Sequence, residues 1–253
     1  MAGSHLGIAG RHLSLLPAFE FSCDGQPCAL PVRAQRLLAL LALAGHPLKR
    51  SVVAARLWPD VVNDRANASL RATLWGMLHG PDAPVVVLDG TLLTLAPQIS
   101  LDIAQAREAA TAIIDGADID GLPERAVPLL SQDLLPDWHD DWLVLERDAF
   151  RQLRLHALEV LCIRLAESGR YAKAVMIGLE TVSSDPYRES AHRALMVAHL
   201  LEGNRMEAIR VYHRYLSMAR EEMGIGASPH MEALLQAALH DKPLLDNALI
   251  TPP

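Results

Sequence analysis

Apolar positions along the chain change their spacing near residue 100. Before that point two kinds of pattern alternate. Phe19-Glu20-Phe21-Ser22-Cys23 alternates with a period of two, Asp24-Gly25 follows, and apolar residues return to Leu30. That arrangement predicts short strands over 13–29 with a hairpin turn at Asp24-Gly25. Pro31 then opens a strongly apolar helical stretch over 35–43, which Gly45-His46-Pro47 stops. A second helix is predicted over 52–57, with Ser51 as its N-cap and Trp58-Pro59-Asp60 as its end. In a third, over 64–78, Ala66, Leu70, Leu74 and Met77 fall on one face, and Gly80-Pro81 breaks it. Val85-Val86-Val87-Leu88, Asp89-Gly90 and Thr91-Leu92-Leu93-Thr94-Leu95 then predict a second hairpin.

From residue 101 strand patterning ceases. Residues 101–115 are amphipathic, 116–122 read as a loop, and a long helix is expected from Asp141 to Ser168. Within 148–226 one pattern occurs twice. Leu165-Ala166-Glu167-Ser168-Gly169-Arg170-Tyr171 with Ala174 corresponds to His199-Leu200-Leu201-Glu202-Gly203-Asn204-Arg205 with Ala208. The offset is 34 residues, and it also relates Ala157 to Ala191 and Leu161 to Leu195. A period of 34 with a small residue at each reversal is the signature of a tetratricopeptide-type helix-turn-helix repeat. Gly169 and Gly203 sit where a helix ends in a left-handed residue, and Asp185-Pro186 separates the copies.

Three short helices followed by a hairpin make a winged helix-turn-helix, with the third helix in the major groove and the hairpin as wing. The expected fold is therefore mainly α with a small β component. An N-terminal α+β winged helix-turn-helix domain occupies 11–98. An all-α tetratricopeptide-like helical repeat domain occupies 101–242, with flexible tails at 1–10 and 243–253. The join is expected between 97 and 101.

Charge sharpens this division. The 253-residue chain has a net charge of −7. Residues 1–100 hold 8 Lys/Arg against 6 Asp/Glu, and residues 101–253 hold 15 against 24. A nucleic-acid contact therefore belongs to the first part. Apolar residues make up 51% and aromatics 4%, an Ala/Leu-rich composition that favours helices and supports a core. No run of 18 apolar residues occurs, so no membrane span is expected. Three cysteines, an odd number, together with the lack of a basic-then-apolar start, point to a reducing cytoplasm.

With both parts laid out, the chain resembles the Streptomyces antibiotic regulatory protein family, which joins a winged helix to a bacterial transcriptional activator domain. In the winged-helix part the matching residues are Arg36-Leu37-Leu38-Ala39-Leu40-Leu41, Leu57-Trp58-Pro59-Asp60 and Ala68-Ser69-Leu70-Arg71. In the activator part they include Leu134-Leu135-Pro136, Asp141-Trp142, Glu146-Arg147, Arg154-Leu155, Gly169-Arg170-Tyr171 and Asp185-Pro186-Tyr187-Arg188-Glu189. Ala191 to Met196, Tyr212, Glu221-Glu222-Met223-Gly224 and Ser228-Pro229 extend the match. The resemblance implies a cytoplasmic activator that binds double-stranded promoter DNA and contacts RNA polymerase. Homodimerisation and a small-molecule effector are open alternatives for further partners, and no cofactor is implied. The pattern departs in one place: the family's third helix ends in a run like W-R-L-R-R, whereas this chain reads Trp75-Gly76-Met77-Leu78-His79. Each missing cation removes a phosphate contact and its counterion release.

On the third helix Arg65, Asn67, Arg71 and Trp75 are assigned to the groove-facing surface, with Ser69 and Thr73 beside them; Arg and Asn pair with guanine and adenine edges. Arg33, Lys49 and Arg50 stand at helix starts, where side chains and backbone amides hold phosphate. The wing tip, Asp89-Gly90-Thr91, carries no cation.

The alternative function is a ligand- or peptide-sensing helical repeat adaptor, with Tyr171, Tyr187, Tyr212 and Tyr215 lining its face. Metal chemistry is not expected. Cys23 and Cys28 lack two further ligands nearby, and His139-Asp140-Asp141, His192 and His199 contain no histidine pair at i, i+4. No catalytic residue is assigned, because the chain has neither a Gly-rich phosphate loop nor a G-x-S-x-G elbow.

Overall fold

The structure, a computed structural model, describes residues 10–78 and 84–240. The tails and the expected break at Gly80-Pro81 therefore lie outside the described residues, apart from Gly10. Backbone contacts divide the chain into two compact units. One takes the chain up to Gln105 together with Gln132–Phe150; the other takes Ala106–Ser131 and the chain from Arg151 onward.

The first unit begins with β1 (Arg11–Ser14), β2 (Glu20–Cys23) and β3 (Gln26–Pro27). The turn between β2 and β3 is Asp24-Gly25, both at positive φ (54° and 75°), as a two-residue hairpin of matching twist requires. Next come α1 (Val32–Ala44), β4 (Leu48–Lys49), α2 (Arg50–Leu57), α3 (Asn63–Leu78), β5 (Val86–Asp89), β6 (Leu92–Leu95) and β7 (Ile99–Leu101). They form two sheets, β3-β2-β1-β7 and β4-β6-β5. Helix α1 is core almost throughout, with every residue from Leu37 to Leu43 buried, and it ends at Gly45 with φ 65°.

Two details differ from the sequence reading. Ser51 is not the N-cap of α2: it lies within the helix and is exposed. Lys49 pairs with Leu92 in the sheet, and the Arg50 amide donates to the Thr91 carbonyl at 2.9 Å. The strand thus passes straight into the helix without a side-chain cap. Second, residues 99–101, read as a join, form strand β7, which runs parallel to β1 with Leu13 beside Leu101.

Asp102 closes that strand pair. It opens α4 (Asp102–Ile114) and is 4% exposed. Its carboxylate accepts hydrogen bonds from the amides of Leu15 and Leu16 at 2.9 Å, from its own neighbour Ile103 at 2.6 Å, and from the Ser14 hydroxyl. Further along, Arg147 serves the irregular stretch before α6 (Asp141–Glu167). Its guanidinium donates to the carbonyls of Leu134 at 3.0 Å, Leu135, and Trp138 at 2.8 Å.

The second unit is helical among its described residues. It holds most of α4 and α6, with α5 (Leu122–Leu130), α7 (Tyr171–Ser184), α8 (Glu189–Glu202), α9 (Arg205–Met223) and α10 (Pro229–His240). Helix α5 escaped the sequence reading because Pro123 and Pro128 interrupt the usual signal. Pro123 stands in the first turn, where an amide has no helical partner anyway.

From α7 to α10 each helix packs on the next. The 34-residue period is carried by this packing: Ala157, Ala191, Leu161, Leu195, Ala174 and Ala208 are all buried. The turns repeat as well. Gly169 and Gly203 have φ of 77° and 87°, and the following amides, Arg170 and Asn204, both reach back five residues at 2.8 Å, to Leu165 and His199. Where α6, α7 and α8 meet, a Cβ on Gly178 would lie 3.0 Å from Leu195 Cδ1 and 3.2 Å from Cys162 Sγ, so only hydrogen fits unaided.

The segment between α7 and α8 is a clamp. Arg151 donates to Asp185 at 2.7 Å, and Arg188 and Ser190 meet the buried Glu159 at 2.5 and 2.7 Å. Glu189 accepts from the Ser228 amide at 3.0 Å. His192 Nε2 lies 2.8 Å from the Pro186 carbonyl.

Asp102→Ala leaves the buried Leu15 and Leu16 amides without acceptors. At about 1–3 kcal/mol per orphaned group, denaturant melts should show a loss of about 3 kcal/mol or more; a change below about 1 kcal/mol would show that water reaches these amides. Gly203→Val should cost about 1–2 kcal/mol from backbone strain alone, because a Cβ there meets nothing within 4 Å. An unaltered melting temperature would remove the left-handed turn from the account. Burial also lowers the His192 pKa below its ordinary 6.5. The unfolded chain then binds a proton near pH 6.5 that the folded chain refuses, so this contribution holds above pH 6.5 and is lost as pH falls below it. Melts across pH should show that slope, and His192→Asn should flatten it.

Candidate nucleic-acid interface

Helix α3 has one inward and one outward face because its apolar residues recur every three to four positions. Ala66, Leu70 and Leu74 are at most 3% exposed. The opposite side carries Arg65, Ala68, Arg71, Ala72, Trp75 and Gly76, all exposed. Trp75 is the most exposed aromatic on that face, at 67%.

The structure therefore brings Arg65, Arg71 and Trp75 to one surface. It does not place Asn67 and Thr73 there. Both are half-buried on the flanks. The Asn67 amide donates to the Asn63 carbonyl at 2.8 Å, and the Thr73 hydroxyl to the Ser69 carbonyl at 2.9 Å, four residues back in each case. Short polar side chains inside helices bond to the preceding turn in this way. Ser69 sits half-buried on the same shoulder as Thr73.

Arg33 is exposed in the first turn of α1, Lys49 is exposed where β4 meets α2, and Arg50 is half-buried as the first residue of α2. Neither helix has an acidic residue in its first turn or a side-chain cap, so nothing negative competes with an incoming phosphate. The wing forms as a hairpin in which Asp89 faces Leu92 and Gly90 has φ 58°. His79, one of the altered positions at the end of α3, lies outside the described residues.

The tyrosine set does not form a common lining. Tyr187 is 47% exposed and Tyr171 half-buried, but Tyr212 and Tyr215 are 3% and 2% exposed. On α9 the positions 208, 212, 215 and 219 share the buried stripe. Tyr212 donates to Glu232 at 2.6 Å. Burial, then that hydrogen bond, push its hydroxyl up to about 12. Tyr215 packs on the His192 ring, centroids 4.9 Å apart, and burial raises its pKa too. Of the histidines, His192 and His199 are buried, while His139 lies in the loop before α6. Its neighbour Asp140 accepts from Arg36 Nε at 2.7 Å and Trp142 Nε1 at 3.1 Å. Arg36 is thus a structural cation that no sequence spacing distinguished from the candidates for DNA. No cluster of three potential metal ligands occurs among the described residues, and no described helix is long and apolar enough to cross a membrane.

A winged helix-turn-helix unit with a tetratricopeptide-like unit is a two-part architecture of transcription regulators. The model of the bacterial transcriptional activator domain family matches residues 103–239, more than half of the chain, and the chain belongs to that family. It is 25% identical over 232 residues to the regulatory protein AfsR of Streptomyces coelicolor, covering 88% of this chain and 23% of AfsR. It is 35% identical over 65 residues to the transcriptional regulatory protein MoaR1 of Mycobacterium tuberculosis, covering 26% of this chain and 21% of MoaR1. The chain thus spans about a quarter of AfsR or less. Among solved structures, Mycobacterium tuberculosis EmbR in complex with a low-affinity phosphopeptide superposes with a TM-score of 0.72 at 20% identity, covering 93% of this chain and 66% of that one. The family match, the similarity to AfsR and the shared fold bear out the resemblance to the Streptomyces antibiotic regulatory proteins.

Proposed function

We propose that the protein is a bacterial transcriptional activator, with residues 11–98 as its DNA-binding domain and residues 101–242 as its activator domain. It enters the major groove of promoter DNA with α3 and engages RNA polymerase through its helical repeat. The observation that carries this reading is the outward face of α3: Arg65, Arg71 and Trp75 stand exposed there while Ala66, Leu70 and Leu74 fix the other face in the core. Arg33, Lys49 and Arg50 supply phosphate contacts on either side. AfsR and MoaR1 are regulatory proteins by name, which supports the same class. The reading places the protein in the cytoplasm and needs neither a catalytic group nor a cofactor.

A second reading, a peptide-sensing adaptor, is favoured by a groove of about 330 Å3 in the helical unit. Pro123, Val127, Pro128, Met176 and Ile177 line it, with Lys173 and Glu124 paired at its edge. The phosphopeptide in the EmbR structure belongs to EmbR; for this chain it suggests peptide partners as a class to test in that groove.

Binding isotherms on promoter and scrambled DNA at two salt concentrations separate the readings. Loss of Arg71 in Arg71→Ala should cost about 1–3 kcal/mol on the promoter if it reads a base, and less on scrambled DNA. If it holds only phosphate, binding weakens on both and the salt slope shrinks by about one. The double variant Gly76→Arg, His79→Arg should strengthen binding on any sequence through added counterion release. In run-off transcription the Arg71→Ala chain should fail to activate. Unchanged isotherms for Arg71→Ala would show that α3 does not enter the groove and would move the adaptor reading ahead.

A further inference from the structure

Helix α9 has two contrasting faces. Ala208, Tyr212, Tyr215 and Ala219 form the buried one. On the opposite side Met206, Arg210, His213, Arg214, Ser217 and Arg220 are all exposed, at spacings of three and four residues that keep them on one stripe. Three arginines thus line the outer side of a helix that lies within residues 101–253, where Asp/Glu outnumber Lys/Arg by 24 to 15.

Other cations of the helical unit are committed to its own structure. Arg151 pairs with Asp185, Arg188 with Glu159 and Lys173 with Glu124, while Arg164 and Arg205 donate to backbone carbonyls. Arg214 and Arg220 are not used in this way: among the described residues no carboxylate pairs with either. Arg210 meets Glu207 one turn back, an exposed pair that holds it weakly. Arg210 and Arg214, four residues apart, repel each other along the free helix, and an anionic partner relieves that repulsion.

The stripe is bounded. Glu207 stands near its start and Glu221 and Glu222 at its end, and Arg210 and Arg220 are about 15 Å apart along the helix axis. Duplex DNA carries a negative charge for about every 1.7 Å of axis without interruption, so a phosphate backbone laid along α9 would meet those carboxylates too. A short acidic protein segment does not. Its carboxylates, spaced one or two turns apart, reach the guanidiniums, and an apolar side chain beside them covers Met206, which is 63% exposed. We propose that the outer face of α9 is a docking site for an acidic segment of a protein partner. The assignment of that partner rests on the reading above: the segment belongs to RNA polymerase.

Titration of the labelled full chain with bacterial RNA polymerase holoenzyme, without DNA, tests the site. Binding by the parent should weaken as salt rises. Arg214→Glu with Arg220→Glu should weaken it by about tenfold or more, because like charges then face each other. Arg214→Lys with Arg220→Lys keeps the charges and should stay within about threefold of the parent. The salt slope of promoter binding should be the same for all three chains. A parent that binds polymerase and a folded, charge-reversed chain that binds it equally well overturn the site. A salt slope on DNA that shrinks by about two in the reversed chain makes the stripe a phosphate contact and overturns the proposal as well. A parent that binds no polymerase overturns the polymerase reading, and with it the partner assigned here. Should the reversed chain fail to fold, Arg214→Gln decides: binding about threefold weaker is expected, and unchanged binding overturns the proposal.

Discussion

The Asp102 carboxylate satisfies the buried amides at the end of β1 and the first turn of α4 at once. Strand β1 ends there without a sheet partner for Leu15 and Leu16, and both residues are buried. A buried amide without an acceptor costs more than most contacts return, so the β1–β7 pairing and the start of α4 depend on one side chain. Arg147 does the opposite job further along, donating to three carbonyls in 134–138. Both are charged groups that serve irregular backbone, and a charged partner makes the stronger hydrogen bond. Several charged residues that carry the family resemblance, Arg147, Asp185, Arg188 and Glu189 among them, prove in this chain to be structural braces.

The helical unit is held differently. Small residues at matched positions let consecutive helices approach, and Cys162 acts there as a compact buried side chain. Its thiol lies 3.2 Å from the Ala174 carbonyl and 3.6 Å from that of Ala194. One polar cluster centres on the buried Glu159, which accepts hydrogen bonds from Arg188 and Ser190 just past the Asp185-Pro186 break. An apolar stack specifies which faces meet but leaves sliding along the axis weakly fixed. A buried, hydrogen-bonded charge at one point fixes that register, since any shift would leave Glu159 uncompensated.

Features set by local chemistry were legible in the sequence. The hairpins at Asp24-Gly25 and Gly90, the stop at Gly45 and the turns at Gly169 and Gly203 each need a positive φ that glycine or aspartate supplies. The inward stripe of α3 followed from spacing alone. What escaped depended on partners distant in sequence. Strand β7 is three residues long and exists because β1 offers it an edge. The start of α2 is fixed by Thr91, some forty positions away. Tyr212 and Tyr215 were indistinguishable from surface aromatics until α8 and α10 covered them. Within the candidate site the sequence reading grouped Asn67 and Thr73 with Arg65 and Arg71, whereas both bond to the preceding turn.

That smaller donor set changes how the α3 surface can work. Under the proposed DNA-binding reading, the five cations Arg65, Arg71, Arg33, Lys49 and Arg50 would give a logarithmic salt slope of about −4 to −5. Residues 101–253, with 24 Asp/Glu against 15 Lys/Arg, add repulsion toward a polyanion, not attraction. On that reading non-specific binding contributes little, and the hold on DNA would come in larger proportion from base contacts at Arg71 and from packing by Trp75, whose indole is the largest apolar group displayed on that face.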